Sequence, residues 1–464
     1  MPRSRFNGKR RKALKCLQGC TGQFTLNREG WSKMIPMRGP KSLIRTGLAL
    51  ALSAHFSVAL ACAQAPRSVT TKNASDGANA APLRRYLITP ETLPPPFATP
   101  DATNPPRLIP QPPGAKLNMP ADFAIETYAE GFQRPREMAL APNGDVFVSD
   151  SEAGQIIVLR DANGDGKPDQ RSVFASGLTQ PFGIAFWRDY VYIGNTNAVV
   201  RFRYRPGQTQ AEGAPEKIAD LPGKGYREHW TRNLIFSPDG SKLYVTVGSE
   251  SNVSVETEPM RAAITEFNPD GSGKRIFASG LRNPIGVAFN PVTGKIWAVV
   301  QERDRIGDDL VPDYVTEVKE GAFYGWPFAY IGPHEDPRRK GERPNLVRKT
   351  VKPDVLIQAH SAAMDLVFYD GKMFPEEYRG HVFVSLRGSW NRSKRTGYKI
   401  IRIPFKDGRP VDGSYEDFIT GWMLDENRAE VWGRPVGLLV LPDGSLLISD
   451  DGANKIWRVT YRGR

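Results

Sequence analysis

The segment Pro284–Phe289 reads PIGVAF: a pivot residue, two variable positions and three mostly apolar positions that end in a large side chain. The pattern occurs five more times, as PREMAL (Pro135–Leu140), PFGIAF (Pro181–Phe186), TRNLIF (Thr231–Phe236), AMDLVF (Ala363–Phe368) and PVGLLV (Pro435–Val440). Successive copies end 46 to 79 positions apart, with β-rich runs and turn residues between them. Repeats of this length are typical of β-propellers with four-stranded blades. Six copies therefore predict an all-β fold, a six-bladed propeller.

The last repeat contains only three β-rich runs, at Leu438–Leu441, Ser445–Ser449 and Lys455–Tyr461. The first β-rich run of the body, Phe123–Glu130 (FAIETYAE), is available to complete it. Pairing of this run with the last blade would close the ring and leave no open sheet edge. We therefore expect the last blade to be closed by an N-terminal strand.

Charge and cysteine content set the first 65 residues apart as a leader. Residues 1–65 hold all three cysteines and twelve basic residues against one acidic residue, Glu29. From Met34 or Met37, either of which would be the true start, a basic stretch leads into the apolar stretch Gly47–Ala61 and then into alanines in A-x-A spacing. The apolar stretch is shorter than the ~18 residues of a spanning helix, which predicts a cleaved signal and no transmembrane anchor. Export to the periplasm is expected, and lipid attachment at Cys62 is disfavoured because Ala59 stands where such sites favour leucine.

The remaining chain divides into a linker and a globular body. Residues 66–118 contain twelve prolines and few large apolar groups, a composition that predicts an extended, disordered spacer before a catalytic domain at 119–464. The leader carries +11 of the formal net charge of +13, so the rest of the chain has a net charge of only +2. A body this close to neutral lacks the positive field of general nucleic-acid binders, and no nucleic-acid partner is expected.

Strand direction alternates within a blade, so two sets of loops share one face, here called the mouth. These are the loops that enter each first strand and the loops that join second to third strands. They carry His229 as a candidate base and three arginines, Arg282, Arg387 and Arg434. Guanidinium groups bind carboxylates with paired hydrogen bonds, which predicts a multiply anionic ligand. Four acidic residues in a neighbouring loop offer the oxygen ligands that Ca²⁺ takes, namely Glu302, Asp304, Asp308 and Asp309.

A second candidate calcium loop is predicted on the opposite face. It matches D-x-N-x-D-G through Asp161, Asn163, Asp165 and Gly166, and continues to Asp169. Its twelfth position is Ser172, where an EF-hand has glutamate. We interpret this loop as a structural turn, with or without Ca²⁺, and assign it no catalytic role.

Over residues 121–462 the chain resembles the pyrroloquinoline quinone (PQQ)-dependent sugar dehydrogenases, in particular the glucose/sorbosone and L-sorbosone dehydrogenases. The motifs that carry the resemblance are HWTRN at 229–233, SGLRNP at 279–284, ERD at 302–304, GDD at 307–309, FYGWP at 323–327 and RGSWNR at 387–392.

The resemblance implies roles for individual residues. His229 would be the general base that takes a proton from the substrate hydroxyl while hydride passes to the quinone. Arg282 would stabilise the reduced quinone. The implied cofactor-binding residues are Arg282, Asn283, Arg387, Trp390 and Arg434. The implied active-site calcium ligands are the acidic stretch Glu302–Asp309 and Tyr324, with PQQ and Ca²⁺ as cofactors.

Two departures qualify these roles. Ser249 stands where the glucose enzymes have an acidic partner for the base, and Arg303-Asp304 replaces their glycine-proline calcium loop. The sequence also has no haem-attachment motif C-x-x-C-H and no nicotinamide-binding G-x-G-x-x-G after a strand. Electrons from a sugar substrate would therefore leave to a separate acceptor, a quinone or a cytochrome.

Two other functions are compatible with a six-bladed propeller. A Ca²⁺-dependent lactonase or related hydrolase would need several carboxylate or amide ligands around one central ion, whereas this mouth is rich in arginine. A non-catalytic binding propeller would hold an anionic partner at the mouth and leave His229 idle. Replacement of His229 separates the binding propeller from an enzyme, because only the enzyme would lose activity.

Overall fold

The structure, a computed structural model, describes residues 84–223, 225 and 228–463. The predicted signal, both candidate start methionines and Cys62 lie outside the described residues. The described part is nearly all β-structure, arranged as six antiparallel sheets around a central axis. The six-bladed propeller predicted from the repeats is confirmed.

Each of the first three blades has four strands that follow one another along the chain. Blade one comprises Pro135–Leu140, Val146–Asp150, Gln155–Arg160 and Gln170–Ala175. Blade two comprises Ile184–Trp187, Tyr190–Asn195, Ala198–Arg203 and Glu216–Asp220. Blade three comprises Leu234–Phe236, Leu243–Val247, Ala263–Phe267 and Arg275–Ser279. In every case the first strand lies nearest the axis and contains all or part of one of the sequence repeats.

The other three blades include strands from distant parts of the chain. Blade four comprises Asn283–Phe289, Ile296–Gln301, Asp313–Glu317 and, after a long excursion, Val355–Ile357. Blade five comprises Ala363–Phe368, Val382–Leu386, Lys399–Ile403, Tyr415–Ile419 and a fifth strand, Arg85–Tyr86. Blade six comprises Pro435–Val440, Leu446–Asp450, Lys455–Tyr461 and Phe123–Glu130.

Short elements connect or decorate the blades. Two-residue strands pair as Ala329–Tyr330 with His334–Glu335, Phe405–Lys406 with Arg409–Pro410, and Arg107–Leu108 with Glu430–Val431. The described helices are one α-helix, Pro344–Lys349, and three 3-10 turns, Pro90–Thr92, Pro337–Arg339 and Glu376–Tyr378. None of these helices has the length and apolar character that a membrane span requires.

Ring closure follows the prediction. Phe123–Glu130 pairs antiparallel with Lys455–Tyr461 through seven residue pairs, from Phe123 opposite Tyr461 to Glu130 opposite Lys455. The Phe123 ring packs edge-on against four aromatic rings, with centroid distances of 4.8 to 5.2 Å. The strand therefore joins the two ends of the propeller by backbone hydrogen bonds and by aromatic packing.

The hydrophobic core lies between the blades. Each pair of neighbouring blades encloses its own cluster, such as Phe147 and Ile156 of blade one against Val191 and Ile193 of blade two. Blades five and six enclose a cluster that contains Trp457. Both faces of each blade are thus covered, which explains why four of the six second strands, such as Val146–Asp150, are buried at every position and the other two at all but one.

Residues 84–118 differ from the disordered spacer that their prolines predicted. The segment is extended, but Arg85–Tyr86 pairs with blade five and Arg107–Leu108 pairs with Glu430–Val431. Between these contacts the Phe97 amide donates to the carbonyl of Ile306 at 2.7 Å. Proline favours extended backbone, and that conformation also suits a segment held along a sheet edge. Composition alone did not separate a free spacer from a docked one.

The axis of the ring is lined by the residues that follow each pivot. Phe182, Ile285, Met364 and Val436 form a buried apolar layer there. At the next position three polar residues, Glu137, Asn233 and Asp365, alternate with three glycines. The glycines are required for space: a Cβ on Gly286 would lie 2.6 Å from the Cα of Asp365. Burial raises the pKa of Asp365 to about 7 and that of Glu137 well above its ordinary value.

Phe123→Ala tests the closing strand. Loss of a ring in contact with four others is expected to lower the free energy of unfolding by about 2–4 kcal/mol, as measured by urea denaturation. Val173→Ala is the matched control, because Val173 is an exposed side chain on the outer strand of blade one. Equal effects of the two substitutions would contradict a stabilising role for the closing strand.

Asp365→Asn tests the buried acids at the axis. The folded state binds their protons more tightly than the unfolded state, so their contribution to stability is present at low pH. It declines above the unfolded-state pKa of about 4, at up to about 1.4 kcal/mol per pH unit for one acid, and is lost once the pH has risen through about 7. The asparagine variant is expected to lose less stability than the parent chain between about pH 4.5 and about pH 7.5 in denaturant titrations. An unchanged pH dependence would show that Asp365 is ionised throughout this range.

Candidate active site

A cavity of about 250 Å³ opens at the mouth of the propeller. Its lining comes mainly from loops that enter first strands and from loops that join second to third strands. Eight of the lining residues were named as site candidates from sequence: His229, Arg282, Asn283, Glu302, Asp304, Arg387, Trp390 and Arg434. Trp390 lies at the rim of the cavity and is 40% exposed.

The geometry around His229 fixes its tautomer. Its Nδ1 lies 2.9 Å from the carbonyl oxygen of Ser249 and 3.0 Å from the Ser249 hydroxyl oxygen. A carbonyl can only accept, so Nδ1 carries the proton and Nε2 keeps its lone pair. Ser249 thus orients the ring by its backbone, at the position where the sequence lacks an acidic partner. Burial and, after it, the charge of Arg282 lower the pKa of His229 to about 3, which keeps the imidazole neutral.

Arg282 and Asn283 lie beside the histidine at the start of blade four. Arg282 is buried and donates to the Glu302 carbonyl at 2.6 Å and to the Asp304 carboxylate at 3.0 Å. Asn283 donates to the Gln301 side chain at 3.0 Å, while its own side-chain oxygen is buried without a partner. The two residues therefore form one wall of the cavity, in which the Arg282 guanidinium is already paired with the Asp304 carboxylate.

Three arginines and one acid form an arginine cluster on another wall. Asp451 has no exposed side-chain surface and accepts from Arg136 at 2.6 Å and from Arg387 at 2.9 Å. Arg434 donates to the carbonyl oxygens of Arg387 and Gly388, at 3.2 and 3.1 Å. Three guanidinium charges thus surround a single carboxylate.

This excess of positive charge is costly within a partly desolvated site. Burial is the largest cause that lowers the pKa of Arg136 to about 9, and the charge of Arg387 contributes to this lowering, while Asp451 opposes it. Burial and Arg387 also lower the pKa of Arg434 to about 10. Although burial opposes the effect, Arg136 and Arg387 lower the pKa of Asp451 to about 2, so this acid stays ionised. An anion bound in the cavity would offset the surplus charge.

The predicted active-site calcium ligands are not brought together. Glu302 and Asp304 line the cavity, but Asp304 accepts from Arg282 and, at 2.7 Å, from Asn391. Although burial opposes the effect, Arg282 lowers the pKa of Asp304 well below its ordinary value. Glu302 accepts from the Arg303 guanidinium at 2.9 Å through one carboxylate oxygen, and its other oxygen is buried without a partner.

The other three predicted ligands point elsewhere. Arg392 donates to the Asp308 carbonyl and to the Asp309 carboxylate. Tyr324 donates to the Glu317 carbonyl at 2.7 Å inside the core between blades three and four. Across the described residues, no three Asp, Glu, His or Cys side chains converge as a metal site would require. The five predicted ligands therefore do not converge in this structure: Asp304 and Asp309 bind arginines from distant parts of the chain, and Glu302 binds the adjacent Arg303. Calcium binding by these residues stays a prediction.

The second predicted calcium loop joins the third and fourth strands of blade one, on the face opposite the mouth. The Asp161 carboxylate accepts from the backbone amides of Gly164 and Gly166, both at 2.7 Å. Asn163 accepts from the amide of Asp165, whose carboxylate accepts from the amide of Lys167. Asp169 accepts from the amide of Ala162. These oxygens stabilise the turn itself, and the motif serves as a structural turn.

Sequence reasoning missed Arg136, which lines the cavity. Arg136 follows the pivot Pro135, where the backbone register shifts between Pro135 and Met138 and turns the side chain towards the mouth. Its position directly after the pivot was a signal that the repeat pattern offered. Asn391 and His360 also line the cavity, and both lie in loops of blade five that the sequence assigned to the mouth. Only their partners were not predicted: Asn391 donates to Asp304, and His360 donates from Nε2 to the Gly307 carbonyl at 2.9 Å.

The residues present fit a flat, multiply carboxylated molecule such as PQQ. Within the part of the chain that the structure describes, four buried polar atoms of cavity-lining residues have no partner, one of them in the arginine cluster: Arg136 Nε, Thr231 Oγ1, Asn283 Oδ1 and Glu302 Oε1. Buried polar atoms are seldom left unpaired, and a concentration of them in one cavity indicates a polar ligand.

Sequence comparisons place the chain among characterised relatives. A sequence model described as TrAA12-like matches residues 117–319 and 341–462, well over half of the chain. An aldose sugar dehydrogenase of Escherichia coli is 31% identical over 55% of this chain and 76% of that protein. A PQQ-dependent pyranose dehydrogenase of Coprinopsis cinerea is 24% identical, and the match covers 74% of this chain but only 54% of that longer protein.

Solved structures agree on the fold. The PQQ domain of the Coprinopsis cinerea pyranose dehydrogenase superposes with a TM-score of 0.63 at 21% identity, over 76% of this chain and 98% of that domain. A Trichoderma reesei enzyme of carbohydrate-active family AA12 superposes with a TM-score of 0.66 at 19% identity, over 77% of this chain and all of the other. The chain is a member of the TrAA12-like family and belongs to the PQQ-dependent sugar dehydrogenases.

Proposed function

We propose that this chain oxidises a sugar at one carbon, with PQQ as the hydride acceptor and His229 as the base. The observation that carries the proposal is the pairing, in one cavity, of a neutral histidine with a free Nε2 and an arginine cluster with surplus positive charge. The names of the relatives support the sugar as substrate and PQQ as cofactor.

The arginine cluster would hold the carboxylates of the cofactor. Arg136, Arg387 and Arg434 offer more donors than Asp451 and the neighbouring carbonyls accept, and guanidinium groups match carboxylates in shape. Bound PQQ would supply a quinone that accepts hydride. Trp390 at the rim and Asn283 beside His229 complete the proposed set of cofactor contacts.

His229 is prepared to take a proton. The Ser249 carbonyl fixes the imidazole so that Nε2 is the basic atom, and this atom would accept the proton of the substrate hydroxyl. The low pKa of His229 has burial as its largest cause and Arg282 as its second, so an anion that balances Arg282 would raise it and make the base stronger. Arg282 would in turn stabilise negative charge that develops on the reduced cofactor.

Calcium, which the resemblance implied, does not form part of the proposed mechanism. Three of the carboxylates predicted as its ligands accept hydrogen bonds from arginines: Asp304 from Arg282, Glu302 from Arg303 and Asp309 from Arg392. We propose an aldose or a sorbosone-like sugar as the substrate. The electrons taken from the sugar would pass to a separate quinone or cytochrome. We also propose that the protein is exported to the periplasm.

Titration with PQQ tests the proposal directly. Purified protein treated with a chelator is expected to bind one equivalent of PQQ, followed by quinone absorbance, and to reduce a dye when aldoses or sorbosone are added. Binding that requires added Ca²⁺ would show that the Arg282–Asp304 pair opens to admit the ion. Failure to bind PQQ under either condition would refute the proposal. The arginine cluster would then have to bind an anion other than PQQ.

His229→Ala separates chemistry from binding. The variant is expected to keep its PQQ affinity within about threefold and to lose dye reduction by at least about a hundredfold, the usual scale for a general base. His334→Ala is the control, because His334 stacks on Tyr330 in a separate ribbon. In the parent chain, the acid limb of kcat/KM is expected well below pH 6.5, since His229 stays neutral there. Full dye reduction by the alanine variant would exclude His229 as the base.

Asp451→Asn tests the arginine cluster. Removal of the buried carboxylate leaves Arg136 and Arg387 without their counter-charge and is expected to lower the free energy of unfolding by about 3–5 kcal/mol. PQQ should restore part of this loss, giving a larger rise in Tm than in the parent chain. Asp443→Asn is the control, because Asp443 pairs with Arg458 near the surface. An identical PQQ-induced Tm rise in parent and Asp451→Asn would contradict anion binding at the cluster.

A further inference from the structure

We propose that residues 97–105, here called the strap, are a working part of the active site, with Asn104 as a positioning residue for the loop that carries Trp390. The strap precedes the propeller and lies outside the 117–319 and 341–462 match to the TrAA12-like family. Its contacts fall on two loops that line the cavity. The kinetic part of this inference rests on the proposed function, whereas the structural part does not.

The first loop held by the strap is 387–395, which contributes Arg387, Trp390 and Asn391 to the cavity. The backbone amide of Asn104 donates to the Trp390 carbonyl at 2.7 Å. The side-chain amide of Asn104 donates to the carbonyls of Arg392 and Ser393, each at 3.0 Å. One strap residue thus binds three backbone carbonyls of this loop.

Arg395, at the end of this loop, also donates hydrogen bonds to the strap. Its side chain is buried, and its guanidinium donates to the Asn104 carbonyl at 3.1 Å, the Asn104 side-chain oxygen at 2.5 Å and the Pro105 carbonyl at 3.0 Å. One further donation goes to the Arg428 carbonyl at 2.7 Å. A buried guanidinium needs such acceptors, because desolvation of an unpaired charge is expensive. Most of the acceptors for Arg395 therefore belong to the strap.

The second loop held by the strap is 304–309, from blade four. The Phe97 amide donates to the Ile306 carbonyl, and the Asp308 amide donates to the Thr99 hydroxyl oxygen, both at 2.7 Å. Between these contacts, the Gly307 carbonyl accepts from His360, a cavity residue.

The strap thereby links two loops that also contact each other inside the cavity. Asn391 donates to Asp304 at 2.7 Å, and Arg392 pairs with Asp309 at 2.5 Å. Neither loop contains a helix or strand of its own. Their positions consequently depend on hydrogen bonds to neighbours, and the strap supplies these from the solvent side. Because Trp390 lies at the rim, a loosened loop is expected to weaken substrate binding more than the chemical step.

Asn104→Ala tests the strap, with hydrogen–deuterium exchange of the protein without added PQQ as the first readout. Loss of several hydrogen bonds is expected to speed exchange of the amides at 388–396 by about tenfold or more. Arg107→Ala is the matched control: Arg107 lies just beyond the strap, and its exposed side chain pairs with Glu430. The control should leave exchange at 388–396 unchanged. Equal exchange in Asn104→Ala and the parent chain would overturn the proposal.

Steady-state kinetics with PQQ and a sugar provide the second readout. Asn104→Ala is expected to raise KM about three- to tenfold while kcat stays within about twofold. Faster exchange with unchanged kinetics would overturn the active-site role and leave a structural role. An inactive parent chain would refute the proposed function. Hydrogen–deuterium exchange would then be the only test of whether the strap holds the loop.

A second variant covers the case in which Asn104→Ala does not fold. Thr99→Val has nearly the same shape and removes only the oxygen that accepts from the Asp308 amide. It is expected to speed exchange at 306–309 and to leave 388–396 close to the parent rate. No change at 306–309 would contradict the hold of the strap on this loop.

Discussion

Closure of the ring by Phe123–Glu130 is the constraint on which the rest of the molecule depends. The cavity takes its lining from loops of separate blades, so the relative positions of those loops hold only while the blades form a complete circle. The closing strand secures the circle with seven residue pairs and one aromatic cluster. At the axis, glycines allow the inner strands to approach closely enough for Arg136 and Asp451, from blades one and six, to meet across the seam.

The chemistry of the mouth follows from how its charges are shared. Arg282 and Asp304 nearly balance each other beside His229, whereas the arginine cluster has three guanidiniums for one carboxylate. A neutral base and an anion-binding wall thus face one cavity. The same sharing occupies three of the predicted calcium ligands: Asp304 and Asp309 bind arginines from distant parts of the chain, and Glu302 binds the adjacent Arg303.

The repeated sequence pattern predicted those features of the fold that recur in every blade. The pivot motif recurs in every blade, so blade number, the inner strands and the mouth loops could be predicted from spacing, and so could the closing strand, because the last repeat lacked one. The candidate site could be predicted in part for the same reason: His229, Arg282 and Arg434 lie one or two residues before pivots. Arg136 was missed because it follows a pivot, and Asp451 because nothing local distinguishes an acid that will neutralise two arginines. The docked segment 84–118 was missed because extended proline-rich sequence looks the same free or bound.

The sequence by itself determined the propeller, its closure and the residue types gathered at the mouth, because these follow from periodicity and from strand alternation. Only the tertiary structure decided which charges pair. Asp304 binds Arg282 and Asn391, Asp309 binds Arg392, and Asp451 binds Arg136 and Arg387. These partners lie 22 to 315 positions apart in the sequence, and an ion pair depends on distance in space and on desolvation, neither of which a linear pattern encodes.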